Sequence, residues 1–343
     1  MDYKRINKMF LQWVRSSGHV NSPCELVFYP TYRCNLNCEM CFQKLQRNKY
    51  KEMSVGEIKK CFDGYKFKSI ILVGGEIFVR KDIIDIIKFF SEITDVVSIH
   101  TNATIMKPEH ISYILDNEKI KDIWISLDGL KNKNDEIRGK NVFNVVSDNI
   151  KLLNEKKNVH INSVILKKNC KELVPLYRYA QALGAASISF QFQMIYTEEE
   201  YINTKNKLKL EEQGFKRDCV VESINFDYME ELEEQFKELR SIEEGTKVYI
   251  SPNYFENNIG LYKNCTNEKM YCKDIIRGII KVMPNGDVVA CEAMNYIYGN
   301  IKTQRIEEFW NNEVNSKFRR EMCNVENIDM CSRCCQVERI MNV

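Results

Sequence analysis

Three observations predict the fold: six alternations of a short apolar run with a helical segment, a proline-stopped run at their head, and a crowd of cysteines in the last quarter. Together they indicate an α/β chain: a partial (βα)6 TIM-like barrel followed by a small C-terminal cysteine-rich α+β domain. Repeated βα alternation demands parallel strands with helices outside. Six units are too few to close an eight-stranded barrel.

The elements follow in order. Ile6, Met9, Phe10 and Trp13 recur at roughly helical spacing, so residues 3–15 form an amphipathic lead-in helix that caps the core. Residues 25–29 form the first strand. Pro30 cannot donate to a ladder, which puts this strand at a sheet edge or ends it there. Ser54 heads a helix through Phe62, and Lys68–Val73 is the second strand, rich in branched residues. Further helices are expected over 81–93, 108–116, 142–155 and 171–183, and strands over 96–100, 123–127, 159–165 and 187–191. From Glu198 to Glu244 the chain is dense in Glu and Lys and reads as solvated connecting helices. Asn285-Gly286 between two branched runs marks a hairpin. The domain plan is 1–22 lead-in helix, 23–192 barrel, 193–262 helical connection and 263–343 cysteine-rich domain.

Fifty basic against 48 acidic side chains leave a net charge of +2, which argues against a broad nucleic-acid or membrane-binding surface. No apolar run reaches membrane-spanning length, and no apolar signal core follows Met1-Asp2-Tyr3-Lys4-Arg5, so a cytoplasmic protein is expected. In a chain this long without an export signal, fourteen cysteines point to metal or redox chemistry rather than disulfides. Cys34, Cys38 and Cys41, spaced C-x3-C-x2-C, suit three corners of an iron–sulfur cubane with one iron left open. A zinc knuckle or three unrelated thiols would share the spacing. Ligands in such folds bind at the carboxyl ends of strands. Gly74-Gly75-Glu76, Thr101-Asn102, and Ser126 with Asp128 stand there behind the second, third and fourth strands.

The cysteine loop resembles the signature of the radical S-adenosylmethionine (radical SAM) superfamily, with Met40 where an aromatic residue is frequent. Gly74-Gly75-Glu76 resembles its glycine-rich motif, with Ile77 in place of the usual proline. The resemblance implies SAM chelated to the open iron and Glu76 accepting hydrogen bonds from its ammonium. It also puts Ser126 and Asp128 at its ribose and carboxylate, and Arg138 in a SAM-carboxylate or structural role. Gly74, Gly75, Glu76, Asn102, Ser126, Asp128 and Arg138 are thus the candidate cofactor-binding set. The pattern of Cys272, Gly286, Cys291 and Cys331-x2-Cys334 resembles the SPASM/twitch extension of these enzymes. It implies one auxiliary 4Fe-4S cluster on Cys272, Cys291, Cys331 and Cys334. Cys265, Cys323 and Cys335 compete for individual positions, and a zinc ribbon would have similar knuckles.

By the same resemblance the enzyme cleaves SAM to a 5′-deoxyadenosyl radical that abstracts a hydrogen from substrate. The auxiliary cluster transfers electrons, and flavodoxin or ferredoxin serves as reducing partner. A peptide or protein substrate is expected first, although only about two dozen residues precede the first strand, leaving no room for a peptide-recognition domain there. Dehydrogenation of a sugar or aminocyclitol alcohol is the alternative, and a non-enzymatic metal-binding scaffold the second. Cys219 is a candidate hydrogen-atom donor. The sequence singles out no catalytic acid or base, and the four histidines show no metal-ligand pairing.

Overall fold

The computed structural model describes residues 3–209, 219–242, 245–252, 270–294, 296–325 and 328–339. Its centre is a parallel sheet of β1 (Glu25–Phe28), β2 (Phe67–Leu72), β3 (Thr94–Thr101), β4 (Ile120–Ser126), β5 (Asn158–Ile165) and β6 (Ser187–Phe192), paired in that order. Between the strands run α2 (Val55–Cys61), α3 (Ile83–Glu92), α4 (Pro108–Asp116), α5 (Lys131–Arg138), α6 (Val142–Leu153) and α7 (Leu173–Ala182), behind the lead-in helix α1 (Tyr3–Ser17). Burial alternates along each strand. On β3 and β4, Val97, Ile99, Ile123 and Ile125 are fully buried in the core shared with Ile86, Ile87, Phe90, Val146 and Ile150 of the helices. The opposite, concave face carries the half-buried Ser98, His100, Trp124 and Ser126. Phe28, Phe62 and Phe90 meet edge to face at the start of the barrel, with centroids 4.9 to 5.9 Å apart. Ser54 and Glu57 form a reciprocal cap at the head of α2, where the sequence places the helix start.

Strand β1 ends before Pro30, as one of the two readings of the proline has it, and is an interior strand. Three features differ from the sequence reading. The segment 193–262 is not purely helical: it holds β7 (Tyr196–Thr197), α8 (Glu198–Leu208), β8 (Val220–Val221), α9 (Met229–Arg240) and β9 (Lys247–Ser251). Of these, β9 adds a seventh parallel strand beside β6. Five residues of weak alternation in a charged surrounding hide it. The short helix α5 was also not foreseen, because its sequence KNKNDEIR lacks an apolar stripe and buries only Asn134, Ile137 and Arg138. Among residues 9–17 of α1, Leu11 and Val14 are buried while Met9 and Trp13 are 64% and 53% exposed, so Met9, Phe10 and Trp13 of the expected stripe do not form the packed face, and the side chain of Ile6 lies outside the described ones.

The C-terminal segment begins with β10 (Met270–Cys272) and α10 (Lys273–Arg277). The expected hairpin follows as β11 (Ile280–Val282) and β12 (Asp287–Val289), and β13 (Ile297–Asn300) extends it. Because β11 pairs in parallel with β1, a single ten-stranded sheet runs through barrel and cysteine-rich segment, in the order β13-β12-β11-β1-β2-β3-β4-β5-β6-β9. Then come α11 (Ile306–Trp310), α12 (Glu313–Asn324) and β14 (Val337–Arg339), which pairs antiparallel with β10. Buried Arg319 of α12 donates to the carbonyls of Gly18 and Trp310 and to Asn311, tying the end of α1 to this segment.

Candidate active site at the barrel mouth

The chain leaves β1 at Phe28 and runs directly into the cysteine loop. Gly75 N–H donates to the Thr31 carbonyl at 3.0 Å and Glu76 N–H to the Arg33 carbonyl at 2.8 Å, so the lead-in to the loop lies against the end of β2. A Cβ on Gly74 would stand 2.4 Å from the Thr31 oxygen, and one on Gly75 would stand 2.2 Å from that of Arg33. The two glycines are therefore required by close approach of the chain's own backbone. That approach seats the loop that presents the thiols against the end of β2. A cavity of about 280 Å³ opens on the flank of this loop, lined by Tyr32, Arg33, Gln46, Asn48, Tyr50, Glu52 and Pro284.

Cys34, Cys38 and Cys41 are free thiols, each with its own polar neighbour. Cys34 Sγ accepts from Leu36 N–H at 3.4 Å and from Asn102 Nδ2 at 3.7 Å. Arg138 reaches Cys38 Sγ and Arg47 reaches Cys41 Sγ, each at 3.9 Å. Burial pushes the Cys34 and Cys38 thiols up, while Arg47 and Arg138 respectively pull them back. Ligation requires thiolates, so these contacts favour the metal-bound form over the free one.

Glu76 is fully buried behind the loop. Its Oε1 accepts from Phe78 N–H at 3.1 Å and Thr101 Oγ1 at 2.8 Å, and its Oε2 from Asn102 N–H at 2.6 Å. A carboxylate offers about four acceptor sites, so room is left for one more donor. Burial raises its pKa to about 6, against the lowering effect of these hydrogen bonds. Asn102 joins Glu76 to the loop, its Nδ2 also donating to Asn35 Oδ1 at 3.0 Å. Asp128 is turned inward to protein rather than toward the mouth: Oδ1 accepts from Val164 N–H at 2.7 Å, and Oδ2 lies 2.6 Å from Arg138 Nε, off line for a hydrogen bond. Burial pushes its carboxyl up and Arg138 pulls it back. Arg138 thus bridges Asp128 and Cys38. Ser126 ends β4 on the concave face, in register with Asn162 of β5.

One layer deeper, His100, Trp124 and His160 are in register on β3, β4 and β5 and stack, with centroids 5.7 and 4.6 Å apart. His160 sits between Ser187 Oγ at 2.7 Å and Asp122 Oδ1 at 3.1 Å. Burial lowers the pKa of His100 to about 4, which leaves its imidazole neutral at pH 7. Beside them, Asn162 Oδ1 is buried without a hydrogen-bond partner. Sequence reasoning missed this row. Each strand contributes one of the three residues, so only strand register shows that they meet.

The second thiol group gathers Cys272 at the end of β10, Cys291 after β12, and Cys331 and Cys334 in the final turn, where Cys334 N–H donates to the Cys331 carbonyl at 3.1 Å. Burial pushes the Cys331 thiol up, and the neighbouring Cys334, Cys291 and Cys272 push it further. Cys272 responds in the same way to Asp274, Cys334 and Cys291. Cys335 is hydrogen-bonded to Cys334 and stays a rival for its position. Cys323 faces Arg15 and Arg319 instead, its thiol pushed up to about 12 by burial, so it is not among the gathered thiols. Cys265 lies outside the described residues. Among the described residues no three His, Cys, Asp or Glu side chains are close enough to share a single metal ion. A cubane, whose thiolates bind separate irons, asks for wider spacing.

The superfamily model Radical SAM matches residues 28–180, and the SPASM model, an iron–sulfur cluster-binding domain, matches residues 272–335. The chain carries a radical SAM domain followed by a C-terminal SPASM domain. It is 27% identical over 182 residues to the antilisterial bacteriocin subtilosin biosynthesis protein AlbA of Bacillus subtilis, covering 51% of this chain and 41% of that protein. To the AdoMet-dependent heme synthase of Methanosarcina barkeri it is 24% identical over 316 residues, 87% of this chain and 85% of that one. The chain spans about half the length of the first curated relatives it matches. The crystal structure of Streptococcus suis SuiB bound to precursor peptide SuiA shares the fold, with a TM-score of 0.65 at 17% identity over 96% of this chain and 74% of SuiB. No helix among the described residues is long and apolar enough to cross a membrane.

Two outcomes follow for the metal-free protein. Gly75→Ala should lower stability by about 2 kcal/mol through overpacking, whereas Gly56→Ala on α2, with nothing within 4 Å of its Cβ, should raise it by about 0.5–1 kcal/mol. Urea unfolding of both variants checks this. Glu76 binds its proton more tightly in the folded chain, at about 6 against 4.5, so its contribution to stability falls as pH rises through that window. The loss is about 2 kcal/mol. The stability difference between wild type and Glu76→Gln, measured from pH 4 to pH 8, should show this slope and be flat above pH 7.

Proposed function

We propose that Cys34, Cys38 and Cys41 hold the 4Fe-4S cluster of this enzyme, that SAM binds between it and Glu76, and that the substrate is a peptide or protein. The observation that carries the reading is the three-thiol loop fastened by its backbone to Gly75 and Glu76, which brings an open-site ligand set next to a buried carboxylate that has no cation on it among the described residues. That donor set fits the group: three thiols for three irons, and one acceptor site on Glu76 for an ammonium. When bound, cluster and SAM supply one-electron reductive cleavage and a hydrogen-abstracting 5′-deoxyadenosyl radical.

The chain's own residues do the positioning. Glu76, held by three donors, presents its remaining lone pair in a fixed direction. Asn102 keeps Cys34 and Glu76 in one hydrogen-bonded unit. Arg138, oriented by Asp128, keeps a positive charge beside Cys38. Ser126 and Asn162 supply polar atoms on the concave face above the His100–Trp124–His160 stack, whose aromatic rings limit how deep a bound group reaches. The proposed auxiliary 4Fe-4S cluster is held by Cys272, Cys291, Cys331 and Cys334 for electron transfer, and a flavodoxin or ferredoxin is the proposed reductant.

A peptide substrate is supported by the bacteriocin biosynthesis protein and by the peptide-bound SuiB fold. The near full-length match to the AdoMet-dependent heme synthase favours a second reading, a small-molecule substrate. After anaerobic reconstitution with iron and sulfide, wild type supplied with SAM and dithionite should form 5′-deoxyadenosine by mass spectrometry, and Cys38→Ala should fall to background. Equal amounts from both would contradict the assignment of the loop. Stimulation by an iron porphyrin, with none by a precursor peptide encoded beside the gene, would move the substrate to the second reading.

A further inference from the structure

Lys281 of β11 is paired in register with Val27 of β1 on one side and Val289 of β12 on the other, so it stands where the barrel sheet joins the cysteine-rich segment. Its ammonium is buried, 2.6 Å from an Asp274 oxygen and 3.5 Å from a Glu292 oxygen. Both carboxylates are tied by the chain to thiols of the second group: Asp274 follows Cys272 by two positions, and Glu292 directly follows Cys291. On the other side, Tyr29, at the end of β1, hydrogen-bonds to Glu292. One buried triad therefore reaches from the concave face of the barrel to the gathered thiols.

The composition of the triad is unusual for a structural device. A buried ion pair that serves only packing is neutral, because an uncompensated buried charge is costly. Here, among the described residues, the ammonium of Lys281 meets two carboxylates beside four thiols that would themselves be thiolates in a loaded site. Lys281 is a buried cation that limits the accumulation of negative charge there. The reduction potential of an iron–sulfur cluster follows its surrounding charge, since reduction adds one more negative charge to the site.

We propose that Lys281, clamped between Asp274 and Glu292, is the positioning residue that sets the charge balance of the auxiliary cluster and holds its reduction potential up, with Asp274 acting in the opposite sense. This rests on the reading of Cys272, Cys291, Cys331 and Cys334 as cluster ligands. Lys281 touches no reacting atom in this role; it acts through the cluster. Removing it lowers the potential and removing the Asp274 charge raises it. A structural role would give no such opposition of sign.

The test uses the full chain with Cys34, Cys38 and Cys41 all changed to Ala, so that only the auxiliary site is loaded, and follows its electron paramagnetic resonance signal in a redox titration. Lys281→Met should shift the oxidised-to-reduced ratio at a fixed ambient potential about tenfold toward oxidised, and Asp274→Asn about tenfold toward reduced, about 59 mV each way for a one-electron couple. Lys281→Arg keeps the charge and should stay close to the parent. If Lys281→Met does not fold, Asp274→Asn against Lys281→Arg decides. Loaded variants whose potentials match the parent, or move in one direction together, overturn the proposal while the ligand assignment stands. A parent that takes up no cluster overturns the ligand assignment, and this proposal with it.

Discussion

Two backbone hydrogen bonds, from Gly75 to Thr31 and from Glu76 to Arg33, hold the cysteine loop against the end of the neighbouring strand, and the site depends on them. Without them the loop would be a surface excursion of the sort that tolerates change and mobility. With them, the loop inherits the rigidity of the parallel sheet. The circuit then closes through side chains. Glu76 binds the end of β3 through Thr101 and Asn102, and Asn102 returns to Cys34. Thiol, carboxylate and strand end are thus one hydrogen-bonded unit. Glycine is needed at 74 and 75 because any side chain there would occupy the space of the Thr31 and Arg33 carbonyls.

Charge buried around the two thiol groups follows a common logic. Asp128 with Arg138 stands behind the first group, and Asp274, Lys281 and Glu292 behind the second. Buried pairs contribute little net stability, because desolvation offsets much of the attraction. Their value here lies in direction: they place fixed charge next to sulfur, where it biases protonation and redox state. The continuous sheet makes both arrangements answer to the same frame, since β11 is hydrogen-bonded to the strand that launches the cysteine loop.

Much of this was legible in the sequence. Periodicity located the six barrel strands and most of their helices, because branched apolar runs alternating with amphipathic segments have few other solutions. Cysteine spacing located both thiol groups. What stayed hidden depends on pairing between distant segments. The attachment of β11 to β1 leaves no mark in either strand, and β9 is short and lies among charges. The stack of His100, Trp124 and His160 emerges only from register. Cys323 and Cys335 both read as rivals in sequence, and only the fold turns Cys323 toward Arg15, away from the gathered thiols. Helix α5 was invisible because its work is polar, carrying Asn134 to Asp128 and Arg138 to Cys38.

Binding of SAM beside Glu76, at the open iron that Cys34, Cys38 and Cys41 are proposed to hold, is the step on which the proposed function stands. Electron paramagnetic resonance of the anaerobically reduced, reconstituted enzyme, recorded with and without SAM, tests it most directly. SAM should change the spectrum of the first cluster in wild type and leave the remaining signal of Cys38→Ala unaltered. A fully loaded wild type whose spectrum does not respond to saturating SAM would contradict it.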